Sequence, residues 1–543
     1  MSRTAQLRPR AGPGTRAAYH RRMSWWQRGV IYQVYPRSFA DSDGDGIGDL
    51  RGLTSRLDHV AWLGADAVWL SPIYASPMKD FGYDISDHCA IDPRFGSLAD
   101  FDALVAAAHR RGLRVLLDFV PNHTSDEHPW FTQSPDFYIW RDPAPEGGPP
   151  NNWLSVFGGP AWTYDSKRAQ FYYHAYLREQ PDLDWRNPAV REAMLGVLRF
   201  WLDRGVDGFR VDALRQVHKD PEWRDNPPNP EFRSGLPEYD SLLPVRSADH
   251  DDLSPAAAMA QTIAEHGDPA EERVMVGEVY LPFERLVRYY GAGVQLPSNM
   301  HLISARWEPR ALAGLVERYE AALPPGAWPN WVLGNHDRRR LASRLGPAQA
   351  RVAAMLLLTL RGTPTIYNGD ELGMTDVPIA AERVQDPYET NSPGLGVGRD
   401  PVRTPMRWDS GPNGGFCPPG VEPWLPLGEA PGLDVETQLG DPRSMLSLYR
   451  ELLALRRGSE ALAAGSYRTL TAEDATFAYL RESPGEAMLI ALNLSTELQA
   501  VPLGGQAGRV RLSTYLDGRE DDAQRDLLLR PGEGVVVQIA NAT

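Results

Sequence analysis

The chain has 543 residues, of which 42% are hydrophobic and 23% charged, and its 71 acidic and 56 basic side chains give a formal net charge of −15. This charge argues against a nucleic-acid-binding protein and favours neutral or cationic ligands. The two cysteines, Cys89 and Cys417, are too few for a disulfide framework and lack the spacing of a zinc site. The length suits one large globular unit or two to three smaller ones.

The first 24 residues are basic and contain six arginines but no apolar run behind them. We therefore expect residues 1–24 to be a disordered arm rather than a secretory signal, with Met23 as an alternative start. Nowhere does the sequence approach the roughly 18 consecutive apolar residues of a transmembrane helix. The expected location is cytoplasmic, without membrane or nucleic-acid partners.

Short apolar runs alternate with longer stretches of helical spacing from residue 30 onward. Predicted strands lie at 30–35, 67–70, 115–119, 208–211, 274–279, 296–300, 331–334 and 363–367. Predicted helices lie at 50–63, 98–111, 189–204, 311–322 and 348–360. This α/β pattern predicts a (β/α)8 TIM barrel over 25–123 and 186–456. The alternative, an open doubly wound sheet, lacks a glycine-rich turn after an early strand.

Two connections are too long to be simple loops. Residues 124–185, after the third strand, are rich in aromatic side chains and are predicted to form an inserted domain. Residues 370–442 are dense in glycine and proline and indicate an irregular cap. Alternating segments at 476–480, 488–494 and 534–539 predict a C-terminal antiparallel β-domain over 457–543.

Four predicted strands carry polar groups at their carboxyl ends, where barrel enzymes place their reacting groups. These groups are Asp118, Asp212, Glu278 and Asp337. A single aspartate at a strand end is most often a helix cap, but capping does not explain four such ends at one barrel mouth. The sequence therefore predicts an acidic active site there.

The segments around these residues resemble glycoside hydrolase family 13, the α-amylase superfamily, in its α-glucosidase and oligo-1,6-glucosidase branch. The matching segments are 118–123 (DFVPNH), 208–213 (GFRVDA), 277–280 (GEVY) and 335–337 (NHD). They occur in the family's order over roughly residues 25–455. The resemblance implies a barrel with an inserted domain and a C-terminal β-domain.

By this resemblance Asp212 is the nucleophile, Glu278 the general acid and base, and Asp337 the third carboxylate that binds sugar hydroxyls. Neighbouring strands lie about 4.8 Å apart, which suits the roughly 5 to 5.5 Å carboxylate separation of a retaining glycosidase. Arg210, two residues before Asp212, points to the same side of its strand and is expected to keep that carboxylate ionised.

The resemblance also supplies residues of the sugar pocket. It implies that His123 and His336 hydrogen-bond the glucose, that Tyr83 stacks on it, and that Asp84 binds its non-reducing end against Arg403, closing the pocket floor. Further sugar contacts are implied for Phe157 and Tyr176 as aromatic walls, and for Ala213 beside the leaving group. For the two aromatic residues, packing within the inserted domain is an equally good interpretation.

An acidic loop follows the first strand, with carboxylates at nearly every second position. Its candidate ligands, which resemble the calcium loop of the same branch, are Asp41, Asp43, Asp45, Ile47 and Asp49. The loop lacks the bidentate glutamate of an EF-hand. A structural Ca²⁺ site is predicted, with Mg²⁺ and a solvated acidic turn as alternatives.

The sequence thus predicts a retaining, exo-acting α-glucosidase that releases glucose from disaccharides and short oligosaccharides, with a preference for α-1,4 links. A transglucosidase or a sucrose or trehalose isomerase of the same fold is the alternative. A non-catalytic relative would be expected to lack part of the carboxylate triad. Ser298, Met300 and Arg407 depart from the branch pattern on the leaving-group side, so the preferred substrate stays open.

Overall fold

The structure, a computed structural model, describes residues 23–230, 232, 244, 252–267, 272–502, 507–519, 522–523 and 526–539. Eight parallel strands form its central sheet: β1 Ile31–Val34, β2 Ala67–Leu70, β3 Arg114–Phe119, β4 Gly208–Val211, β5 Val274–Glu278, β6 Leu296–Ser298, β7 Asn330–Val332 and β8 Thr363–Tyr367. Nearly every residue in them is buried, as expected for strands covered by helices on one side and packed against each other on the other.

The sheet closes into a barrel. Hydrogen-bonded neighbours run in the order β6, β5, β4, β3, β2, β1, β8, β7, so that β6 and β7 end the series beside each other. At this seam the backbone N–H of Asn299 donates to the Asn330 side chain at 2.8 Å. The predicted (β/α)8 barrel is confirmed.

Helices surround the barrel, and several begin at side-chain caps, such as Asp49 before Leu50–Leu63 and Asn187 before Pro188–Leu202. The remaining α-helices are Trp25–Arg28, Leu98–Arg110, Pro129–Gln133, Ser254–Glu265, Phe283–Leu286, Arg288–Gly291, His301–Ser304, Pro309–Ala322, Leu341–Leu345, Pro347–Thr359, Pro387–Asn391, Val435–Leu439, Met445–Gly458 and Glu460–Ala464. Short 3₁₀ turns lie at Pro36–Ser38, Pro135–Phe137, Leu214–Gln216, Asp370–Leu372, Ala381–Arg383, Asp400–Val402 and Pro412–Gly415.

Four smaller antiparallel sheets accompany the barrel in the part of the chain that the structure describes. Between β3 and β4, the antiparallel strands Trp140–Arg141, Gln170–Tyr173 and Trp162–Asp165 form a small sheet around buried aromatic side chains. After the barrel, an antiparallel sheet contains Ser466–Glu473, Thr476–Ser483, Glu486–Asn493, Gly534–Ile539, Gly508–Ser513 and Asp522–Ala523, and Gln499–Pro502 pairs with Asp526–Leu529. A further hairpin joins Tyr74–Ala75 to Asp87–Ile91. The predicted C-terminal β-domain is therefore confirmed.

Further predictions concern the N-terminal arm, membrane-spanning helices and cellular location. Residues 1–22 of the predicted N-terminal arm lie outside the described residues. No helix in the described part of the chain has the length and apolar character needed to cross a membrane. The cytoplasmic location stays a prediction.

Candidate active site

Three carboxylates meet at one guanidinium at the carboxyl ends of β3, β4 and β5. Asp118 and Arg210 are paired in register across β3 and β4, and Arg210 Nη1 lies 2.7 Å from both Asp118 and Asp212. Arg210 Nη2 lies 2.8 Å from Glu278 Oε2. The two predicted reacting carboxylates are thus brought together, and the predicted contact of Arg210 with Asp212 is present.

One cation does not neutralise three buried anions. Burial raises the pKa of Asp118 to about 6, although Arg210 opposes the shift. Burial also raises the pKa of Asp212 well above its ordinary value, since Arg210 is shared and Glu278 adds negative charge nearby. Arg210 opposes this rise in the pKa of Asp212, and the expectation that it keeps that carboxylate ionised stays a prediction. Crowding of three carboxylates around one guanidinium favours a shared proton in such a cluster, and an acid catalyst needs a proton of this kind.

Asp337, two residues beyond the Asn335 that follows β7, carries negative charge into the same pocket. Arg403 Nη2 lies 2.9 Å and Arg399 Nη1 3.5 Å from Asp337 Oδ1. Although burial opposes ionisation, His336 and these guanidinium groups hold the pKa of Asp337 well below its usual range. Asp337 is therefore an ionised acceptor that can bind hydroxyl groups.

A chain of hydrogen bonds links His336 to Asp118. Gln33 Nε2 lies 2.8 Å from His336 Nδ1, and Tyr83 lies 2.8 Å from His336 Nε2. Tyr83 donates its hydroxyl proton to Asp118 at 3.0 Å. Burial lowers the pKa of His336 to about 3, so the ring is neutral. With its one proton on Nε2, the ring donates to the Tyr83 hydroxyl oxygen and accepts the Gln33 amide N–H at Nδ1. The Tyr83 and His336 rings are stacked with centroids 5.5 Å apart.

The floor of the pocket is closed by a different pair from the one predicted. Arg399 Nη2 lies 2.7 Å from Asp80 Oδ1 and also 2.7 Å from Asp386 Oδ1. Asp80 Oδ2 accepts a further hydrogen bond from Gln180 at 3.1 Å. Asp80 and Arg399 both line the pocket. The predicted contact between Asp84 and Arg403 is absent between these two described residues, because Arg403 binds Asp337 instead.

Local backbone geometry turns Asp84 away from the pocket. Its carboxylate accepts hydrogen bonds from the backbone N–H groups of Lys79 and Asp80 at 2.8 and 2.9 Å and from the Ser76 hydroxyl at 3.0 Å. The side chain is fully buried, and burial raises its pKa to about 6. Asp84 therefore shapes the loop that presents Asp80, rather than meeting a sugar.

His123 lies in a second buried network at the mouth of β3. Its two ring nitrogens lie 3.1 Å from the side-chain amides of Asn122 and Gln180. Burial lowers the pKa of His123 to about 4, so it is a neutral hydrogen-bonding group. Behind it Lys219 Nζ lies 2.6 Å from Asn122 and 2.5 Å from Asp182, a support that the sequence analysis did not single out.

Aromatic and cationic side chains form the walls of the pocket. Phe157 and Tyr176, the predicted aromatic walls, line it with Tyr388, and the Phe157 and Tyr388 rings lie 4.9 Å apart. Arg399 packs over Phe157 at 4.9 Å. On the side away from the floor, the lining includes Arg215, Tyr280, Arg338 and Arg339. Tyr280 lies in the matched segment 277–280, but the sequence motifs predicted no role for it or for the three arginines.

Ala213 lines the pocket directly after Asp212, in an unusual backbone conformation. Its φ of 47° and ψ of 31° lie in the left-handed region, which side chains with a Cβ rarely adopt. Its backbone N–H donates to Glu278 Oε2 at 2.9 Å. The strained turn thus helps to aim the carboxylate of Glu278.

The acidic loop before Leu50–Leu63 brings three of its five candidate ligands together. Carboxylate oxygens of Asp41, Asp43 and Asp49 lie within 4.8 Å of one another. Asp45 and Ile47 fall outside that group, and the Asp45 carboxylate accepts the Ile47 N–H at 2.8 Å. Oxygen donors of this kind fit a hard divalent cation. Burial and the surrounding aspartates raise the pKa of Asp43, which shows how crowded the negative charge is.

Comparison with known proteins places this architecture in a family. A family model described as the catalytic domain of alpha amylase matches residues 33–465. The chain is 41% identical to a probable alpha-glucosidase of Rhizobium meliloti (strain 1021), covering 87% of this chain and 90% of the relative. It is 35% identical to an oligo-1,6-glucosidase of Parageobacillus thermoglucosidasius, covering 95% of this chain and 99% of the relative. The crystal structure of an alpha-glucosyl transfer enzyme superposes with a TM-score of 0.89 at 37% identity, covering 95% of this chain and all of the other.

Proposed function

The chain belongs to the alpha-amylase family of glycoside hydrolases, and we propose that it is a retaining, exo-acting α-glucosidase that releases glucose from short α-glucosides. One observation carries the proposal. Asp212 and Glu278 share the Arg210 guanidinium in the same pocket whose floor is closed by Asp80 and Arg399. Two carboxylates so placed suit double displacement, and a closed floor suits cleavage at a chain end.

In the first step a carboxylate oxygen of Asp212 attacks the anomeric carbon of the terminal glucose. Glu278 gives its proton to the glycosidic oxygen, the bond from carbon to oxygen breaks, and the shortened sugar leaves. A glucosyl ester on Asp212 of inverted configuration remains. Arg210 stabilises the carboxylates throughout, and Asp337 accepts hydrogen bonds from the sugar hydroxyls.

In the second step Glu278, now ionised, takes a proton from water as the water oxygen attacks the anomeric carbon. The ester bond to Asp212 breaks, and α-glucose is released. Two inversions retain the α-configuration. His123 and His336, both neutral, are suited to orient hydroxyls in both steps without adding charge.

A second candidate is glucosyl transfer, in which a sugar hydroxyl replaces water in the second step. The likeness to a crystal structure named as an alpha-glucosyl transfer enzyme favours it. Both reactions use the same first step and the same carboxylates. The ratio of free glucose to transfer product from maltose separates them.

The acidic loop is proposed to hold a structural Ca²⁺, with Mg²⁺ as the alternative. Asp41, Asp43 and Asp49 supply the carboxylate oxygens, and Asp49 also caps the helix Leu50–Leu63 by accepting the Gly52 N–H at 2.8 Å. A cation there would relieve the repulsion among these carboxylates and fix the start of that helix. It would take no part in the displacement.

The decisive experiment measures glucose release from maltose, isomaltose, sucrose, trehalose and an aryl α-glucoside. Asp212→Asn and Glu278→Gln should each lower turnover roughly a thousandfold or more, because each removes one half of the double displacement. Thermal unfolding is the control and should show folded variants with a Tm close to that of the wild type. Turnover above a few per cent in either folded variant would refute the assignment.

A further inference from the structure

One wall of the pocket is formed by the inserted domain together with residues 387–398 after β8, which we name the strap. Tyr388 and Val397 of the strap pack in one apolar cluster with Val156, Phe157 and Leu177. Tyr388, Gly396, Val397 and Gly398 all line the pocket. The strap therefore forms part of the pocket in which the sugar is proposed to bind.

A single carboxylate fastens the strap. Glu389 Oε1 accepts the backbone N–H of Gly394 at 3.0 Å, and Glu389 Oε2 accepts that of Gly398, also at 3.0 Å. Gly394 and Gly396 have φ values of 79° and 68°, in the left-handed region that glycine enters without strain. Backbone hydrogen bonds from Ser392 and Leu395 hold the first part of the loop. Glu389 ties Gly394 and Gly398, in its second part, back to the helix Pro387–Asn391.

A cavity lies on each side of this wall. The active-site pocket lies on one side, and a second cavity lies on the other, lined by Ser155 and Gly158 of the inserted domain and by Pro387 and Asn391 of the strap. Tyr176 borders both cavities. Pro387 and Asn391 of the strap border this second cavity, so the strap is held on that side mainly by the apolar contact of Tyr388 and Val397 and by the Glu389 hydrogen bonds.

We infer that Glu389 is a positioning residue, which holds the strap against Phe157 and so determines how tightly the pocket retains sugar and excludes water. The inference rests on the proposed function. Loss of the carboxylate frees Gly394 and Gly398, and Val397 and Tyr388 then lose their fixed place in the pocket wall. Water reaches the glucosyl ester more often, so hydrolysis gains over transfer, while Asp212 and Glu278 are unaltered.

The test compares Glu389→Ala and Glu389→Gln with Glu382→Ala, an exposed glutamate a few residues earlier. In Glu389→Ala we expect KM for maltose to rise about tenfold with kcat within about threefold, since the sugar is held less well but the chemistry is intact. The ratio of transfer product to glucose at high maltose should fall at least about threefold. Glu389→Gln keeps one acceptor oxygen, so its KM and product ratio should lie between those of the wild type and of Glu389→Ala. Glu382→Ala should match the wild type in both.

Amide hydrogen exchange supplies a measurement that does not depend on turnover. Peptides covering 392–398 should exchange faster in Glu389→Ala than in the wild type, with the rest of the chain unchanged. Unchanged exchange there, or a KM and product ratio equal to those of Glu382→Ala, overturns the inference. If the wild type cleaves no α-glucoside while exchange still rises, the proposed function fails and the fastening role of Glu389 stands. Should the alanine variant not fold, the same comparisons on Glu389→Gln decide.

Discussion

Ala213 connects linkage preference to backbone strain. It lines the pocket beside Asp212 at a φ of 47°. Its small side chain leaves room for an α-1,4-linked leaving sugar, and one or two methyl groups at such a place are worth about 1 to 3 kcal/mol of discrimination. We expect the wild type to cleave maltose faster than isomaltose, and Ala213→Val to move the ratio of their kcat/KM values toward isomaltose.

The same substitution should lower stability. Any residue with a Cβ costs roughly 1 to 2 kcal/mol in the left-handed region, and a β-branched residue is tolerated there less well than alanine, so the Tm of Ala213→Val should fall. Kinetics on both disaccharides and a thermal melt of each protein check the two effects separately. A wild type that prefers isomaltose by tenfold or more contradicts the linkage argument, and an unchanged Tm contradicts the strain argument.

Sequence motifs brought out Asp212, Glu278 and Asp337, which all line one pocket, but predicted a contact between Asp84 and Arg403 that the structure, which describes both residues, does not contain. Asp80 and Asp84 lie four residues apart, as do Arg399 and Arg403, so spacing alone could not choose between them. The choice depends on the loop backbone, where Phe81 and Gly82 have φ values of 49° and 107° and turn Asp80 inward. A left-handed turn at a phenylalanine has no sequence signal.

At the scale of elements, the segment after β8 decides where a substrate chain can be cut. Arg399 bridges Asp80 and Asp386 and closes the pocket behind the first sugar. Maltotetraose should therefore yield glucose and maltotriose as its first products. Chromatography of samples taken early in the reaction measures them. Asp80→Asn should raise KM about tenfold or more, because it loses both a sugar acceptor and the partner of Arg399. Maltose as the first product would exclude a closed floor.

The acidic loop is the second element with a direct test. Removal of a cation from among Asp41, Asp43 and Asp49 leaves three crowded carboxylates at the start of a barrel helix. Excess chelator should lower the Tm by several degrees while activity at low temperature persists, since the loop holds no reacting group. Added Ca²⁺ should restore the Tm. A Tm that is unchanged after prolonged chelation would contradict the proposed cation site.

The elements themselves were largely predictable. Strands β2, β4 and β8 have the predicted bounds, because strands buried on both faces are short apolar runs between polar segments. The helices Ser254–Glu265 and Met445–Gly458 were missed. Ser254–Glu265 is rich in alanine, so its buried face has few of the large apolar side chains that reveal a helical period.

Over the whole molecule, buried titratable groups set how stability depends on pH. Burial lowers the pKa of five histidines to about 3 or 4: His88, His123, His128, His218 and His336. In the unfolded chain they titrate near 6.5, so their contribution to stability is present above that pH and is lost as the pH falls. Burial raises the pKa of Asp84 and Asp118 to about 6 and of Asp370 to about 7, which has the opposite effect.

We expect the histidines to dominate between pH 5 and 7, because all five bind fewer protons than in the unfolded chain over about 1.5 pH units of this range, whereas Asp84 and Asp118 oppose them only between pH 5 and about 6. The Tm should therefore be several degrees lower at pH 5 than at pH 7, with Ca²⁺ present at both. His88→Phe, which keeps a ring beside Trp130 but cannot titrate, should reduce the difference. A Tm at pH 5 equal to or above that at pH 7 would show that the carboxyl groups prevail.

The floor formed by Asp80 and Arg399 also governs how the rate depends on polymer size. An enzyme that accepts only the terminal residue responds to the molar concentration of non-reducing ends rather than to the mass of glucan. At equal mass, doubling the length of a linear chain halves those ends and halves the rate below saturation. Each branch point in a glucan adds an end, so a highly branched polymer supplies more cleavage sites per gram than a linear one of the same mass.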